Sequence, residues 1–280
     1  MNRLKFCSVL FIAFISLNVY SGEMTVAQNK NPEGVNNRNM SGINTTMVKY
    51  LSGRDTVSAY LAEPEGSGPF PALILIHEWW GLNDWVKKDA DKFADSGYVA
   101  FAIDLYHGKT ATSPEVARSL SAFIDKEQAA KDLRSAFDQL FNRKEVNQKS
   151  IGSIGWCMGG GYSLRAAVDL SGLSACVINY GSLITDISTL KKINCPILGI
   201  FGENDQNINP SVVKEFQDSL NQAGIENKII IYPGAGHAFM NPNNSDRYNE
   251  TAAEKAWNET FTFLNKNLKK NNSKDSKKGN

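Results

Sequence analysis

Apolar and polar positions along the chain fall into two repeating patterns. Residues 73–77, 99–103, 151–156, 175–180, 197–201 and 228–232 are short, nearly continuous apolar runs rich in Ile and Val. Runs of that length and make-up suit strands covered on both faces. Between them, residues 87–96, 125–141, 160–170, 211–223 and 251–267 carry apolar side chains at helical spacing. In the second of these, Ala129, Leu133, Ala136, Phe137, Leu140 and Phe141 fall on one face. Strand and helix in alternation predict an α/β fold with a mostly parallel central sheet and helices on both faces. Residues 47–62, with a turn near Gly53, predict an antiparallel hairpin at one sheet edge. No internal repeat interrupts this order, and one domain is expected over residues 46–268, a size at which α/β folds usually stay single.

The flanks break the pattern. Arg3 and Lys5 precede an uncharged apolar run over residues 6–20, and small and polar residues follow. That is the layout of a secretory signal peptide, and it predicts export to a periplasm or to the medium. Cleavage fits after Ser21, with Val19 two residues earlier, or after Ala27, with Thr25 two residues earlier, so the signal spans 1–21 or extends to 27. A retained anchor is the competing reading, because a run of about 15 apolar residues is at the short end of a bilayer span. After cleavage no stable membrane span is expected. Cys7 precedes the apolar run and sits too early to be lipid-modified at a cleavage site. Residues 22–45, rich in Asn, Gly and Ser, read as a flexible linker, and 269–280 as a disordered tail of Lys, Asn and Ser.

Lys plus Arg number 30 against 29 Asp plus Glu, so charge gives no case for nucleic acid or an anionic membrane as partner. Removing the signal leaves Cys157, Cys176 and Cys195, an odd number in an oxidising compartment. At least one thiol is then unpaired unless it bonds to another chain. Cys176 and Cys195 each begin a predicted strand and read as buried packing. A bridge between them is disfavoured, because parallel strands aligned by their ends put the two out of register and a disulfide tolerates Cα separations only up to about 7 Å. No Cys/His cluster has zinc spacing, so no metal is expected.

Cys157 has a different setting. The run Gly155-Trp156-Cys157-Met158-Gly159-Gly160-Gly161 joins a predicted strand to a predicted helix. This is the G-x-S-x-G nucleophile elbow with Cys for Ser, where flanking residues need to lack side chains so that a strained turn can form. The helix N-terminus that follows favours a thiolate. A Gly-rich turn with an inert buried Cys is the bland alternative. A phosphate loop is excluded, since the Lys and Ser/Thr of that motif are missing. Asp205 and His237 each follow a predicted strand, where open α/β sheets place their sites. The order nucleophile, acid, His is that of α/β-hydrolases. Glu203 competes with Asp205 as the acid, and of the other two His, His77 could be a packing residue ending the first central strand and His107 lies in a loop.

Five ordered segments resemble those of the dienelactone hydrolase family within the α/β-hydrolase fold. They are Ile76-His77-Glu78-Trp79-Trp80-Gly81-Leu82-Asn83, Asp104-Leu105-Tyr106, Gly155-Trp156-Cys157-Met158-Gly159-Gly160, Gly202-Glu203-Asn204-Asp205 and Gly236-His237-Ala238-Phe239. The resemblance implies a cofactor-free hydrolase of a small ester or lactone, acting through Cys157, Asp205 and His237 and a thioester intermediate. It implies that Glu78 is a carboxylate near the resting thiol, and that the N–H groups of Trp79 and Met158 form an oxyanion hole. Trp80, Tyr106, Phe239 and Arg118 are expected against the substrate. The chain departs from the family after His237, where Ala238-Phe239-Met240-Asn241-Pro242 lacks the basic residue that holds a substrate carboxylate, and no Arg occurs until Arg247. An exported thioesterase or small-acyl esterase, and an idle exported binding protein, are the alternatives. If the N-terminal reading holds, N-terminal sequencing of the exported fraction will begin at Gly22 or Gln28, and full-length chain with Met1 in the cytosol would refute it.

Overall fold

Successive side chains of a strand point to opposite faces of a sheet, and β3 (Phe70–Ile76) fills both. Ala72, Ile74 and Ile76 enter one core, while Leu73 and Leu75 enter the other. The computed structural model, which describes residues 42–269, builds the whole molecule on that alternation. In chain order the elements around β3 are β1 (Ile43–Ser52), β2 (Asp55–Pro64), α1 (Asp84–Asp95), β4 (Val99–Ile103), α2 (Pro114–Ala122) and α3 (Lys126–Phe141). There follow β5 (Val146–Trp156), α4 (Met158–Asp169), β6 (Ala175–Asn179), α5 (Ile187–Leu190), β7 (Ile197–Gly202), α6 (Pro210–Ala223), β8 (Asn227–Tyr232), α7 (Glu250–Leu264) and a π-helical turn over Asn265–Lys269.

The strands form one sheet in the order β1-β2-β4-β3-β5-β6-β7-β8. Only the β1–β2 and β2–β4 pairs are antiparallel. Helices α3, α4 and α6 bury Leu133, Leu164 and Phe216 against one face, and α1 and α7 bury Phe93 and Phe263 against the other. Truncating a fully buried Leu such as Leu73 in such a core costs about 2–5 kcal/mol. From β3 the chain crosses to β4 on one side and later returns to β5 on the other, so the crossovers diverge beyond the carboxyl end of β3. Open α/β sheets bind ligands at such a switch point.

The sheet begins earlier than the sequence pattern indicates. Strand β1 starts at Ile43, within the segment 22–45 read as linker, and its inward positions include Thr45 and Ser52 as well as Tyr50. The buried positions change face along the strand, Ile43 and Thr45 at one end and Tyr50 and Ser52 at the other, so no single two-residue period marks its start. The rest of that linker and the proposed signal lie outside the described residues, as does the tail beyond Lys269. Lys269 itself, counted with the tail, closes the π-helical turn and donates to the Ser96 carbonyl at 2.6 Å. Helix α2 escaped periodicity because it buries only Ala117, although Ser113 caps it and Pro114 starts it.

Between β5 and α4 two backbones meet without a side chain between them. A Cβ on Gly155 would overlap the Gly159 carbonyl, and a Cβ on Gly159 would overlap the Ile76 carbonyl at the end of β3. Both obstacles are main chain, which cannot rotate away. Gly159→Ala is therefore expected to lower unfolding free energy by at least the roughly 1–3 kcal/mol of an overpacked core, read by urea denaturation. A loss below 0.5 kcal/mol, roughly the surface-substitution range, would disprove the close approach.

Candidate active site

Cys157 stands between β5 and α4 with φ +54° and ψ −117°, a conformation that L side chains rarely hold. Its N–H donates to the Asn179 carbonyl at 3.0 Å, and the side chain, half-buried, projects from the turn. Residue Met158 opens α4, so its N–H is one of the helix's free N-terminal donors.

The Cys157 Sγ lies 3.1 Å from His237 Nε2, and His237 Nδ1 lies 2.7 Å from Asp205 Oδ2. The other oxygen of Asp205 accepts the N–H groups of Asn207 and Ile208 at 2.8 and 3.0 Å. Glu203 is committed elsewhere, accepting the Gly234 N–H at 2.9 Å, so Asp205 alone orients the imidazole. Burial works against a charged imidazole here, but the hydrogen bonds and charges of Asp205 and Cys157 outweigh it and push His237 up to about 10. Burial likewise opposes the Asp205 carboxylate, yet His237 and the two backbone donors hold its pKa below the usual carboxyl range. The His237 contribution to stability is thus full below the unfolded imidazole value near 6.5 and is lost as pH rises through about 10. The Asp205 contribution is present above the unfolded carboxyl value and is lost as pH falls through its depressed one.

Glu78 ends the β3 strand-loop junction, fully withdrawn from solvent. Its Oε2 accepts from Asn241 Nδ2 at 2.8 Å and its Oε1 from the Tyr180 hydroxyl at 3.4 Å. Burial raises its carboxyl to about 7, against the opposing pull of Asn241, His237, Tyr180 and Arg247. The Tyr180 ring stands edge-on to His237, with centroids 5.3 Å apart. Tyr180 is thus a site residue for which the sequence offered no signal beyond its nearness to a strand end, and Asn241 stands in the stretch where the family's basic residue is missing.

The expected substrate residues divide. Trp79 and Trp80 remain half-buried and meet edge to face at 5.3 Å. Tyr106 is buried and its hydroxyl donates to the Trp79 carbonyl at 2.9 Å, so it orders that segment. Phe239 does not face the substrate side: it is buried, as is Met240, and packs against Tyr180 and Tyr232 beneath the site. Arg118 is exposed on α2, where the helical turn directs Ala117 inward instead. It stays out of the wall of the neighbouring cavity of about 550 Å³, which Tyr106, His107, Leu120 and Phe123 line. His107 pairs with buried Asp132 at 2.7 Å. Cys176 and Cys195 are buried free thiols, and burial raises Cys176 to about 11.

A model described as the dienelactone hydrolase family matches residues 57–268. Protein usf of Aquifex pyrophilus is 34% identical over 232 residues, covering 79% of this chain and 98% of its own. A Bradyrhizobium protein named as a probable 2-oxo-3-(5-oxofuran-2-ylidene)propanoate lactonase is 30% identical over 219 residues, covering 74% of this chain and 88% of its own. The fold matches that of a dienelactone hydrolase-like promiscuous phosphotriesterase from metagenomic libraries, with a TM-score of 0.75 at 23% identity over 81% of this chain and 99% of that one.

Thiol chemistry offers a direct check on this geometry. In the folded protein at neutral pH, iodoacetamide is expected to modify Cys157 at least about 100-fold faster than Cys176 or Cys195, both withdrawn from solvent. Mass spectrometry showing equal modification at the three sites would remove Cys157 from the chemistry.

Proposed function

Because the chain belongs to the dienelactone hydrolase family, we propose that it hydrolyses an ester or lactone bond with Cys157 as nucleophile, His237 as base and Asp205 as the acid that orients it. The observation that carries this reading is the unbroken run of 3.1 and 2.7 Å contacts from the elbow thiol through the imidazole to a buried carboxylate. The Cys157 Sγ, its proton passed to His237 Nε2, attacks the substrate carbonyl carbon, and the C=O electron pair moves onto oxygen, to which the N–H groups of Trp79 and Met158 donate. As the oxyanion collapses to a thioester, the proton on His237 Nε2 passes to the leaving alcohol oxygen. Water then attacks the thioester, His237 takes its proton, and the acid leaves with the thiol restored. The N-terminal pattern supports this chemistry taking place outside the cytosol.

Substrate charge follows from what surrounds Glu78. Met240 is buried and the Asn241 amide is spent on Glu78, so residues 238–242 present no basic group to a substrate carboxylate, and Arg247, whose charge reaches Glu78, is exposed. Half-buried Trp79 and Trp80 favour an apolar acyl or alcohol group instead. The test is a panel of lactones, esters and thioesters run on the parent and on Cys157→Ala, with the variant expected to lose on the order of a thousandfold or more in kcat. Undiminished turnover by the variant would end the nucleophile assignment. Within the panel, a carboxylated lactone and its neutral analogue are expected to differ by less than about tenfold in kcat/KM, or roughly 1.4 kcal/mol. A larger preference for the carboxylated member would mean that Arg247 or Arg118 folds in as the anchor.

A further inference from the structure

His77 is fully buried at the end of β3 and takes no part in the thiol–imidazole–carboxylate chain. Its two ring nitrogens face groups of opposite kind. Nε2 lies 3.2 Å from the Leu105 N–H, which can only donate, so Nε2 must accept. Nδ1 lies 2.6 Å from the Glu78 carbonyl oxygen, which can only accept, so Nδ1 must carry the proton. One tautomer makes both bonds, the neutral ring protonated on Nδ1. Burial, which lowers the His77 pKa, agrees with a neutral ring.

The peptide joining Glu78 to Trp79 carries that carbonyl at one end and the Trp79 N–H at the other. In a planar trans peptide the two point in opposite directions, so fixing the carbonyl fixes the N–H. The Glu78 carbonyl also accepts the Gly81 N–H at 3.2 Å, and the next carbonyl, that of Trp79, is held by the Tyr106 hydroxyl at 2.9 Å. Among the described residues no acceptor meets the Trp79 N–H, which leaves it available. Resting on the reading above that Trp79 donates to the oxyanion, we propose that His77 is the positioning residue of that donor: its Nδ1–H clamps the Glu78 carbonyl so that the Trp79 N–H is already aimed when charge develops on the substrate. Preorganised donors of this kind act in the transition state and leave thiol reactivity alone.

Two substitutions separate the two bonds of the ring. His77→Asn can keep an N–H near the Nδ1 position, and His77→Gln can keep an acceptor near the Nε2 position while losing the donor to Glu78. For a neutral ester that the parent hydrolyses and Cys157→Ala does not, His77→Gln is expected to lose about 10- to 100-fold in kcat with KM within about threefold. His77→Asn is expected to recover at least a tenfold share of that loss. Iodoacetamide alkylation of Cys157 forms no oxyanion, so its rate is expected to stay within about twofold of the parent in both. Equal kcat losses in the two variants, or alkylation falling in step with hydrolysis, would overturn the inference and leave His77 a structural residue. Should the Gln variant fail to fold, the Asn variant decides alone: a loss beyond about 30-fold in kcat with alkylation intact counts against the clamp, and a smaller one supports it. Turnover that persists in Cys157→Ala would instead sink the nucleophile reading, an outcome that the Cys157 control reveals before any His77 variant is measured.

Discussion

Where α4 leaves β5, its first turn lies directly against the main chain of two neighbouring strands. Gly159 faces the Ile76 and His77 carbonyls at the end of β3, and Gly160 faces the Asn179 carbonyl and Gly181 beyond β6. Three parallel strand ends and one helix start are thereby packed backbone to backbone, closer than any side chain would allow. That approach brings the Cys157 turn, the Glu78–Trp79 peptide and Tyr180 into one small volume. The positive φ of Cys157 follows from the same closeness, because the chain must reverse from strand to helix within a single residue. Strain of that kind costs on the order of 1–3 kcal/mol, and the two buried cores on either side of the sheet hold it in place.

Within this volume the ionisable groups are arranged so that burial and pairing oppose each other differently at each site. Asp205 accepts three hydrogen bonds and stays ionised despite its burial. His237, between that carboxylate and the thiol, is driven towards its protonated form. Glu78 accepts only two side-chain donors, and burial lifts it to about 7. Two carboxyl groups in one site therefore differ in their readiness to hold a proton, because burial prevails at Glu78 while His237 and two backbone donors outweigh it at Asp205. At Cys176, packed on Ser163, burial raises the thiol to about 11 against the opposing hydrogen bonds of Ser163 and Ser153.

The parts of this architecture that repeat along the chain were readable from it. Ile and Val runs mark the parallel strands because both sheet faces are covered, and the glycines at 155 and 159 mark the elbow because main chain occupies their Cβ positions. Asp205 and His237 were legible as single polar residues placed just after strands. What escaped depends on three-dimensional pairing with no periodic trace. The first residues of β1, from Ile43, were lost to the segment read as linker, and α2 hid behind a nearly solvated surface. Phe239 reads as a site residue by its closeness to His237, yet the chain after His237 turns the ring down into the core, with φ +61° at Ala238. Asn241 looked like a missing cation, and its partner, Glu78, lies 163 residues away in sequence.

The Asn241–Glu78 contact ties the departure from the family's pattern to substrate charge. A basic side chain at this turn would stabilise both the Glu78 carboxylate and a carboxylate on the substrate. Asn241 can do neither as strongly, since a neutral amide donates a hydrogen bond but brings no positive charge. Glu78 is left near the midpoint of its titration at neutral pH. A substrate bearing its own carboxylate would bring a second negative charge beside it in a site of low polarity, and one of the two groups would have to take up a proton. A neutral ester imposes no such choice. On the proposed mechanism the chain thus keeps the family's means of breaking an acyl bond while its surroundings select against the charge that a carboxylated lactone carries.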